Sequence, residues 1–438
     1  MVRPLSAARG PRRNQENVPS PRAHGPVRHA GMSNRPWDIV LFGATGFTGA
    51  LTAEYLSRHA PAGLRVALAG RSREKLQALQ HRLADAGTRW GILEADTSSP
   101  AALGALAAST RVLITTVGPY AKHGLPLVEA CARSGTHCCD LTGEPQFMRR
   151  SIDAWDATAK ASGARIVHSC GFDSIPSDLG MLTLHQAAKA RGLSGQFTRA
   201  TLAVVRLKGG FSGGTVASMV NGIEEATADR SVRRIFADPY ALSPDRGQEP
   251  DLGPQRDQVG LKYDDFLGQW TAPFVMASIN TRVVRRTNAL LGYAYGRELR
   301  YRETTALKGP GGFAFGLAMT LGLGAVVGSQ LFGPTKKLVG ALLPKPGEGP
   351  DKAARDAGFF KLRLEAEAVE GERLHAVIAG TSDPGYGETA KMLSESALCL
   401  ALDEAKLPRV AGVLTPATAM GMTLVDRLRA AGMTFEAK

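Results

Sequence analysis

One segment constrains the fold of this chain more than any other: a glycine-rich turn between a short apolar run and a helical pattern. The apolar run is Val40–Phe42, and the turn reads Gly43-Ala44-Thr45-Gly46-Phe47-Thr48-Gly49. A strand, a glycine turn and a helix start in this order are typical of a dinucleotide-phosphate site in a parallel sheet. The alternative is a glycine-rich connection that holds no ligand.

The three glycines of this turn have separate expected roles. Gly43 allows the chain to turn tightly, Gly46 lets the backbone approach a diphosphate, and Gly49 lets the helix pack closely on the strand. The free N–H groups at the helix start and the positive end of its dipole then face the phosphates. The predicted cofactor-binding residues of this turn are Gly43, Thr45, Gly46, Phe47, Thr48 and Gly49.

Strand and helix patterns alternate over the first half of the chain. We expect strands at 37–42, 65–69, 88–93, 111–117, 137–141 and 164–169, each followed by a polar turn and a helix. This alternation predicts an α/β fold with a Rossmann-type, doubly wound parallel sheet. Ligands then bind at the carboxyl ends of the strands, where the polar turns collect.

The pattern changes past Gly195, where longer strands and a polar loop indicate an inserted α+β second domain. We expect strands at 198–208, 281–286, 359–369 and 372–381, a loop at 243–260, and helices at 389–402 and 416–431. The predicted organisation is a disordered tail at 1–35, an NADP-binding Rossmann domain at 36–194, a substrate or dimerisation domain at 195–384, and C-terminal helices at 385–438 that pack back on the Rossmann domain.

The segment Gly309–Thr335 contains no charged residue and eight glycines. Three interpretations stay open: a buried or dimer-interface segment, a shallow contact with a membrane or lipid surface, and a transmembrane span. Lys308 and Lys336-Lys337 at its ends suit either membrane interpretation.

Charge and cysteine usage narrow the function class. The net charge is +13, of which residues 1–31 carry six Arg and one Glu, and the remainder suits a phosphate-bearing cofactor. We find no base-reading motif, so no nucleic-acid partner is expected.

The five Cys lack metal-ligand spacing, so no metal is expected. Reduced thiols and the lack of a secretory signal predict a cytoplasmic protein, with Met32 as its natural start.

The end of the second strand favours NADP(H) over NAD(H). An NAD site places an acidic residue there, whereas this chain reads Gly70-Arg71-Ser72-Arg73. Arg71 is expected to pair with the 2′-phosphate, aided by the Ser72 hydroxyl. Asp96, after the third strand, is placed near the adenine. The alternatives are a solvated surface charge for Arg71 and a helix cap for Asp96.

Several motifs together resemble the saccharopine dehydrogenase-like oxidoreductases. The motifs are GATGFTG at 43–49, GPY at 118–120, DLTGE at 140–144, CGFDSIPSDLG at 170–180, GGTVAS at 213–218, GYGETAKML at 385–393 and VLTPATAMG at 413–421. They are most similar to the trans-acting enoyl reductase branch. The resemblance implies NADP-dependent reduction of a carbon–carbon double bond in a carrier-bound acyl or polyketide chain, in complex lipid biosynthesis.

Enoyl reduction requires a hydride, a proton and a group that stabilises charge on the carbonyl oxygen. Tyr120, after the fourth strand, is predicted as proton donor or orienter, with Gly118 and Pro119 beside the cofactor. Asp173 and Ser174, after the sixth strand, are predicted to shape the nicotinamide side. No Tyr has Lys four residues later, which argues against a short-chain dehydrogenase.

Two other functions stay open. One is a saccharopine dehydrogenase-type oxidoreductase that acts on an imine or amino-acid adduct. The other is a non-catalytic NADP-binding protein that contacts lipid surfaces through 309–335. That contact would make the protein peripheral on the inner face of the plasma membrane, and the same segment also suits a homodimer interface.

Overall fold

The computed structural model describes residues 35–83, 90–209, 213–329 and 349–438. The predicted tail, apart from Arg35, lies outside the described residues, as do residues 330–335 of the apolar segment.

The first half of the chain forms a parallel sheet whose central strands are fully buried. Its strands are β1 Trp37–Phe42, β2 Val66–Gly70, β3 Gly91–Glu94, β4 Thr110–Thr115, β5 His137–Asp140, β6 Arg165–Val167 and β13 Gly412–Leu414. Their order is β13-β6-β5-β4-β1-β2-β3, and every pair is parallel. The reversal of strand order between β1 and β4 places the cofactor crevice above these two strands.

Helices connect the strands of this sheet and cover both faces. They are α1 Phe47–His59, α2 Arg73–Arg82, α3 Pro100–Ala108, α4 Tyr120–His123, α5 Leu125–Ser134, α6 Pro145–Ser162 and α7 Ile175–Ala190. Ser72 and Ser99 cap α2 and α3 by accepting a hydrogen bond from the third residue of the helix. The predicted Rossmann-type doubly wound sheet is therefore confirmed.

A second sheet follows, and its pairing is mostly antiparallel. Its strands are β7 Phe197–Lys208, β8 Lys262–Asp264, β9 Gln269–Ala272, β10 Arg300–Ala306, β11 Phe359–Ala368, β12 Arg373–Gly380 and β14 Thr434–Ala437. The order is β14-β12-β11-β7-β10-β9-β8, with β7 and β10 parallel. The predicted α+β second region is confirmed, while the domain boundaries at 194/195 and 384/385 stay predictions.

The helices of the second half are α8 Gly213–Ala228, α9 Arg230–Ala237, α10 Ala277–Leu290, α11 Gly309–Ser329, α12 Lys352–Asp356, α13 Thr389–Leu402 and α14 Pro416–Ala430. The predicted strand at 281–286 is wrong, because these residues lie inside α10. β-branched residues favoured a strand locally, but tertiary contacts bury most residues of this segment as a helix.

The C-terminal segment returns to both sheets. The two predicted helices are confirmed as α13 and α14, and α13 packs against α1, β4 and β5. Sequence analysis missed the short strands β13 and β14, which join the parallel and the mixed sheet respectively.

The described part of the apolar segment forms α11, and much of its surface is exposed. Phe315 is 62% exposed and Leu321 is 64% exposed. The interpretation as a segment buried within this chain is therefore wrong for Gly309–Ser329. In the described ranges we find no helix whose length and apolarity would let it cross a bilayer. A dimer interface and a lipid-surface contact stay predictions.

Candidate functional site

The glycine turn has the backbone geometry that the sequence predicts. Gly43 has a φ of +85°, and a Cβ there would lie 2.7 Å from the Thr116 hydroxyl. A Cβ on Gly49 would lie 2.2 Å from the carbonyl oxygen of Gly43. A side chain at either position would therefore force α1 away from β1 and β4.

The start of α1 lies at the carboxyl edge of the sheet, and no side chain caps it. Gly46 is its exposed N-cap residue and supplies no side chain. The N–H groups of Phe47 and Thr48 lie in the first turn, where no intrahelical acceptor exists. Thr45 is exposed on the same turn. This end of α1 has the donors and the dipole that suit a diphosphate.

The end of β2 presents a guanidinium group to solvent. The Arg71 side chain is 81% exposed, and its Nε lies 4.0 Å from an Asp96 carboxyl oxygen. The Ser72 hydroxyl accepts a hydrogen bond from the Lys75 N–H, so its proton stays available to a ligand. Arg71 and Ser72 are thus placed to meet a 2′-phosphate.

Asp96 serves first as a turn residue. One oxygen accepts hydrogen bonds from the N–H and the hydroxyl of Ser98 at 2.8 and 2.7 Å. These bonds lower the pKa of the Asp96 carboxyl, and Arg71 adds to the effect. The second oxygen faces Arg71, so a bound adenosine would have to share this carboxylate with the guanidinium.

The turn after β4 is fixed by Glu144 rather than by the phenol of Tyr120. Gly118 and Pro119 are joined by a cis peptide bond, and Tyr120 begins α4. Glu144 accepts hydrogen bonds from the Tyr120 and Ala121 N–H groups at 2.9 and 2.8 Å. Glu144 therefore anchors the start of α4 and with it the turn that faces the cofactor crevice.

The ring of Tyr120 lies in the core below this turn. Its hydroxyl donates to the Thr115 carbonyl at 3.1 Å, and only 4% of the residue is exposed. Burial raises the pKa of the phenol well above its usual value. The backbone of Tyr120 borders the crevice, whereas its hydroxyl is turned toward a strand.

Ser174 belongs to a buried hydrogen-bond network behind the turn after β6. Its hydroxyl lies 3.2 Å from the side-chain oxygen of Asn280, whose amide donates to Glu303 at 2.8 Å. Glu303 also accepts from the Tyr301 hydroxyl. Burial raises the pKa of Glu303 to about 7. This network joins α7 to α10 and β10 and lies away from solvent.

A second buried cluster resembles a catalytic triad but lies inside the first domain. His168 bridges Asp140 at 2.7 Å and the Ser151 hydroxyl at 2.8 Å. All three residues are at most 2% exposed, so a substrate has no access to them. They connect β5, α6 and the turn after β6, and their role is to hold that turn in place.

Asp173 differs from these groups because it accepts no hydrogen bond from any residue in the described ranges. The residue is only partly buried. A Cβ on Gly143, which follows β5, would lie 2.9 Å from its Oδ2. Burial raises the pKa of the carboxyl to about 7. An unpaired carboxyl with this pKa can exchange a proton near neutral pH.

Sequence analysis missed the contacts that Phe47 makes with the second half of the chain. Its ring packs edge-on against Tyr386, with centroids 4.7 Å apart, and the Arg355 guanidinium lies 5.6 Å from its centroid. A Cβ on Gly349 would lie 2.5 Å from the same ring. The GYGE motif at 385–388, which contains Tyr386, is the sequence signal that could have indicated this contact. Arg355 belongs to none of the motifs.

The predicted residues thus divide into two groups. Gly43 to Gly49, Arg71, Ser72, Asp96, Gly118 and Pro119 lie along the carboxyl edge of the parallel sheet, where the strand order reverses. Of the three predicted catalytic side chains, Asp173 faces this edge at Gly143, while Tyr120 and Ser174 point into the core.

The chain is similar to several known proteins. Residues 39–167 match the family model of the saccharopine dehydrogenase NADP binding domain. A Mycobacterium tuberculosis protein provisionally named a trans-acting enoyl reductase is 48% identical over 414 residues, covering 92% of this chain and 97% of that protein. The trans-acting enoyl reductase of Mycobacterium bovis is 42% identical over 415 residues, covering 92% and 98%.

A solved structure with similar coverage is apo saccharopine dehydrogenase (L-Glu forming) from Saccharomyces cerevisiae. It is 14% identical, with a TM-score of 0.47, and the match covers 92% of this chain and 99% of that one.

Proposed function

This chain belongs to the trans-acting enoyl reductase family, and from that premise we propose that it reduces a carbon–carbon double bond of a carrier-bound acyl or polyketide chain. It is an oxidoreductase with an NADP-binding domain. The product would be a saturated acyl chain that enters complex lipid biosynthesis. The observation that carries the proposal is the Asp173 carboxyl, which accepts no hydrogen bond from the described residues and lies beside the edge of an NADP-binding sheet.

The residues at this edge fit NADP(H). The exposed N-cap Gly46 admits a phosphate, the first turn of α1 offers free N–H groups, and Arg71 supplies a cation at the end of β2. When bound, NADPH supplies the hydride. The protein would hold its diphosphate at Gly46 to Thr48 and its 2′-phosphate at Arg71 and Ser72.

Asp173 is our choice for the proton donor. Hydride addition to one carbon of the double bond leaves negative charge toward the thioester carbonyl, and the neighbouring carbon then takes the carboxyl proton. The step ends with a saturated chain, NADP⁺ and the Asp173 carboxylate, which water reprotonates. A pKa of about 7 makes the carboxyl a competent acid at neutral pH.

Tyr120 and Ser174 would act as positioning residues in this scheme. The Tyr120 N–H binds Glu144, which keeps the Gly118–Pro119 turn at the nicotinamide side. Ser174 precedes α7 and ties the Asp173 turn to Asn280. Their hydroxyls are buried and already bonded, so a direct role in proton transfer is the weaker proposal for both.

One exposed surface of the chain is apolar. Tyr263, Trp270 and Phe313 form a chain of edge-on ring contacts, with centroids 5.9 and 5.5 Å apart, and each residue is at least 41% exposed. We propose that this surface, with α11, rests on lipid and makes the protein peripheral to a membrane.

The activity is tested with purified protein, NADPH and a panel of enoyl thioesters of increasing length, followed at 340 nm and by mass spectrometry of the product. We expect NADPH oxidation with a gain of two hydrogens in the thioester. Turnover of amino-acid imines instead of thioesters would favour the saccharopine-type alternative. NADPH binding without turnover of either class would favour the non-catalytic alternative.

The lipid contact has its own test. Flotation with vesicles of anionic and neutral lipid is compared for the wild type and for a variant with Phe315→Ser and Leu321→Ser. We expect the variant to leave the vesicles while keeping its activity on short soluble thioesters. Equal flotation of the two proteins would contradict the lipid contact. A concentration-dependent dimer that only the wild type forms would indicate a protein interface instead.

A further inference from the structure

The guanidinium of Arg355 occupies an unusual position at the cofactor edge. It lies 5.6 Å from the ring centroid of Phe47, the first residue of α1. Phe47 lies at the helix end whose free N–H groups face the diphosphate site. Arg355 thus brings a positive charge from the second half of the chain to the site formed by the first half.

Among the described residues, Arg355 has no carboxylate partner, whereas arginines of the second sheet do. Arg363 pairs with Glu365 on β11, and Arg199 on β7 pairs with Glu367 on β11. Over the described ranges, no carboxylate lies within ion-pair distance of Arg355, and its one side-chain hydrogen bond goes to the Pro350 carbonyl at 2.6 Å. Most of its donors are therefore available to a ligand.

The backbone of Arg355 is held firmly. Its carbonyl accepts hydrogen bonds from the Asp383 N–H at 2.9 Å and from the Ser382 hydroxyl at 3.2 Å. This contact links α12 to the turn that carries Tyr386, which also packs on Phe47. The backbone that carries the side chain is thus fixed to the Tyr386 turn, and the Pro350 carbonyl accepts a hydrogen bond from the guanidinium.

We propose that Arg355 binds the diphosphate of NADP(H) and completes the cofactor site from the opposite side. Phosphate oxygens would lie between the α1 N–H groups and the guanidinium, which offers two parallel donors. The proposal rests on the NADP site and extends it. It separates two cationic roles, since Arg71 would read the 2′-phosphate and Arg355 the diphosphate.

The test measures dissociation constants by calorimetry for NADPH, NADH, ADP and 2′-AMP, without any acyl substrate. Because the diphosphate is common to the first three, we expect Arg355→Gln to weaken all three about 10-fold or more. Binding of 2′-AMP, which has no diphosphate, stays within about twofold of the wild type. Arg355→Lys keeps the charge but not the paired donors, so we expect its dissociation constants to lie between those of the wild type and of Arg355→Gln.

Lys352→Gln is the matched control, because it removes the same charge from the same helix. Lys352 is 75% exposed and pairs with Asp356, so we expect unchanged binding. Melting temperatures without ligand check that each variant folds. If Arg355→Gln does not fold, the test is made with Arg355→Lys alone.

Four results would overturn the assignment. They are unchanged ADP binding in both Arg355 variants, a loss confined to NADPH and 2′-AMP, an equal loss in Lys352→Gln, and a wild type that binds no NADPH. The measurement needs no enoyl substrate, so failure of the proposed reduction would leave its outcome readable.

Discussion

Asp173 lies in the turn after β6 and Asp178, five positions later, in the first turn of α7; burial raises the pKa of each carboxyl to about 7. Their surroundings differ. Asp178 is completely buried, accepts a hydrogen bond from the Ala417 N–H at 2.8 Å and is also bonded to the Thr287 hydroxyl. Asp173 is partly exposed and accepts none from the described residues.

This difference shows why a raised pKa alone does not identify a catalytic acid. Both carboxyls are shifted by desolvation, but the donors around Asp178 fix its position and join α7 to the start of α14. The pKa of Asp173 is raised although no described residue donates a hydrogen bond to its carboxyl, so loss of its proton breaks none of the contacts described. Asp173 is therefore suited to proton transfer, whereas Asp178 stabilises the fold.

The largest expected effect comes from Asp173→Asn. Removal of the proton donor should lower kcat for enoyl reduction about 10²- to 10⁴-fold, the range that general acids contribute. NADPH affinity and melting temperature should change little, because the carboxyl accepts no hydrogen bond from the described residues. Steady-state kinetics, calorimetry and thermal unfolding measure the three quantities. A variant with full activity would remove Asp173 from the mechanism.

The pH dependence of kcat is a second test of Asp173 as the proton donor. A donor with a pKa of about 7 is protonated below that pH and loses its proton above it. The wild-type kcat should therefore be level in acid and fall about tenfold per pH unit above pH 7. The residual activity of Asp173→Asn should lack this descending limb. An identical limb in both proteins would assign it to another group.

Asp178→Ala should act on stability instead. It leaves the Ala417 N–H and the Thr287 hydroxyl without their acceptor, which costs about 2–4 kcal/mol of unfolding free energy. Urea unfolding measures the loss, and Asp178→Asn, which keeps an acceptor oxygen, should lose less. The NADPH dissociation constant of the folded protein should stay within about twofold. Lost activity at unchanged stability would contradict the comparison.

The same contrast applies to guanidinium groups. Arg71 is 81% exposed, whereas Arg286 is 1% exposed and donates to two main-chain carbonyls. Arg71→Ala should weaken NADPH binding about 10- to 100-fold and NADH binding hardly at all. Calorimetry with both nucleotides gives the ratio. Equal losses for NADPH and NADH would mean that Arg71 does not contact the 2′-phosphate.

The smallest expected effect is that of Gly143→Ala. Its Cβ would lie 2.9 Å from the Asp173 Oδ2, so the carboxyl has to move. Because it accepts no hydrogen bond from the described residues, the shift should cost little stability but reduce kcat about tenfold. Gly104→Ala, where a Cβ meets nothing within 4 Å, is the control. Equal kinetics in both variants would show that the position of Asp173 is unimportant.

Much of the cofactor edge could be predicted from local patterns. The order of strand, glycine turn and helix predicts the phosphate site, and the residues after β2 predict the role of Arg71, because both predictions depend on short sequence spacing. Asp173 was predicted as a site residue from its position after β6. That it accepts no hydrogen bond from the described residues could not be predicted, since this depends on how Gly143 and the second half of the chain pack around it.

The errors have a common physical cause. Thr281–Arg286 looks like a strand locally, but tertiary contacts bury it as a helix, with Arg282 paired to Asp257. The hydroxyl of Tyr120 was expected in the crevice and instead bonds to Thr115. Arg355 is near Phe47 only in the folded chain. Each outcome depends on contacts between residues far apart in sequence.

The strand β13 affects how this protein is made. It pairs with β6 through Gly412–Arg165 and Leu414–Val167, so the parallel sheet is completed only by residues near the carboxyl terminus. During synthesis, β6 is translated before strands β7 to β12, so its outer edge stays without its β13 partner until those strands have emerged. A chain that ends before β13 would leave this sheet edge unpaired, and an unpaired edge can pair with another chain.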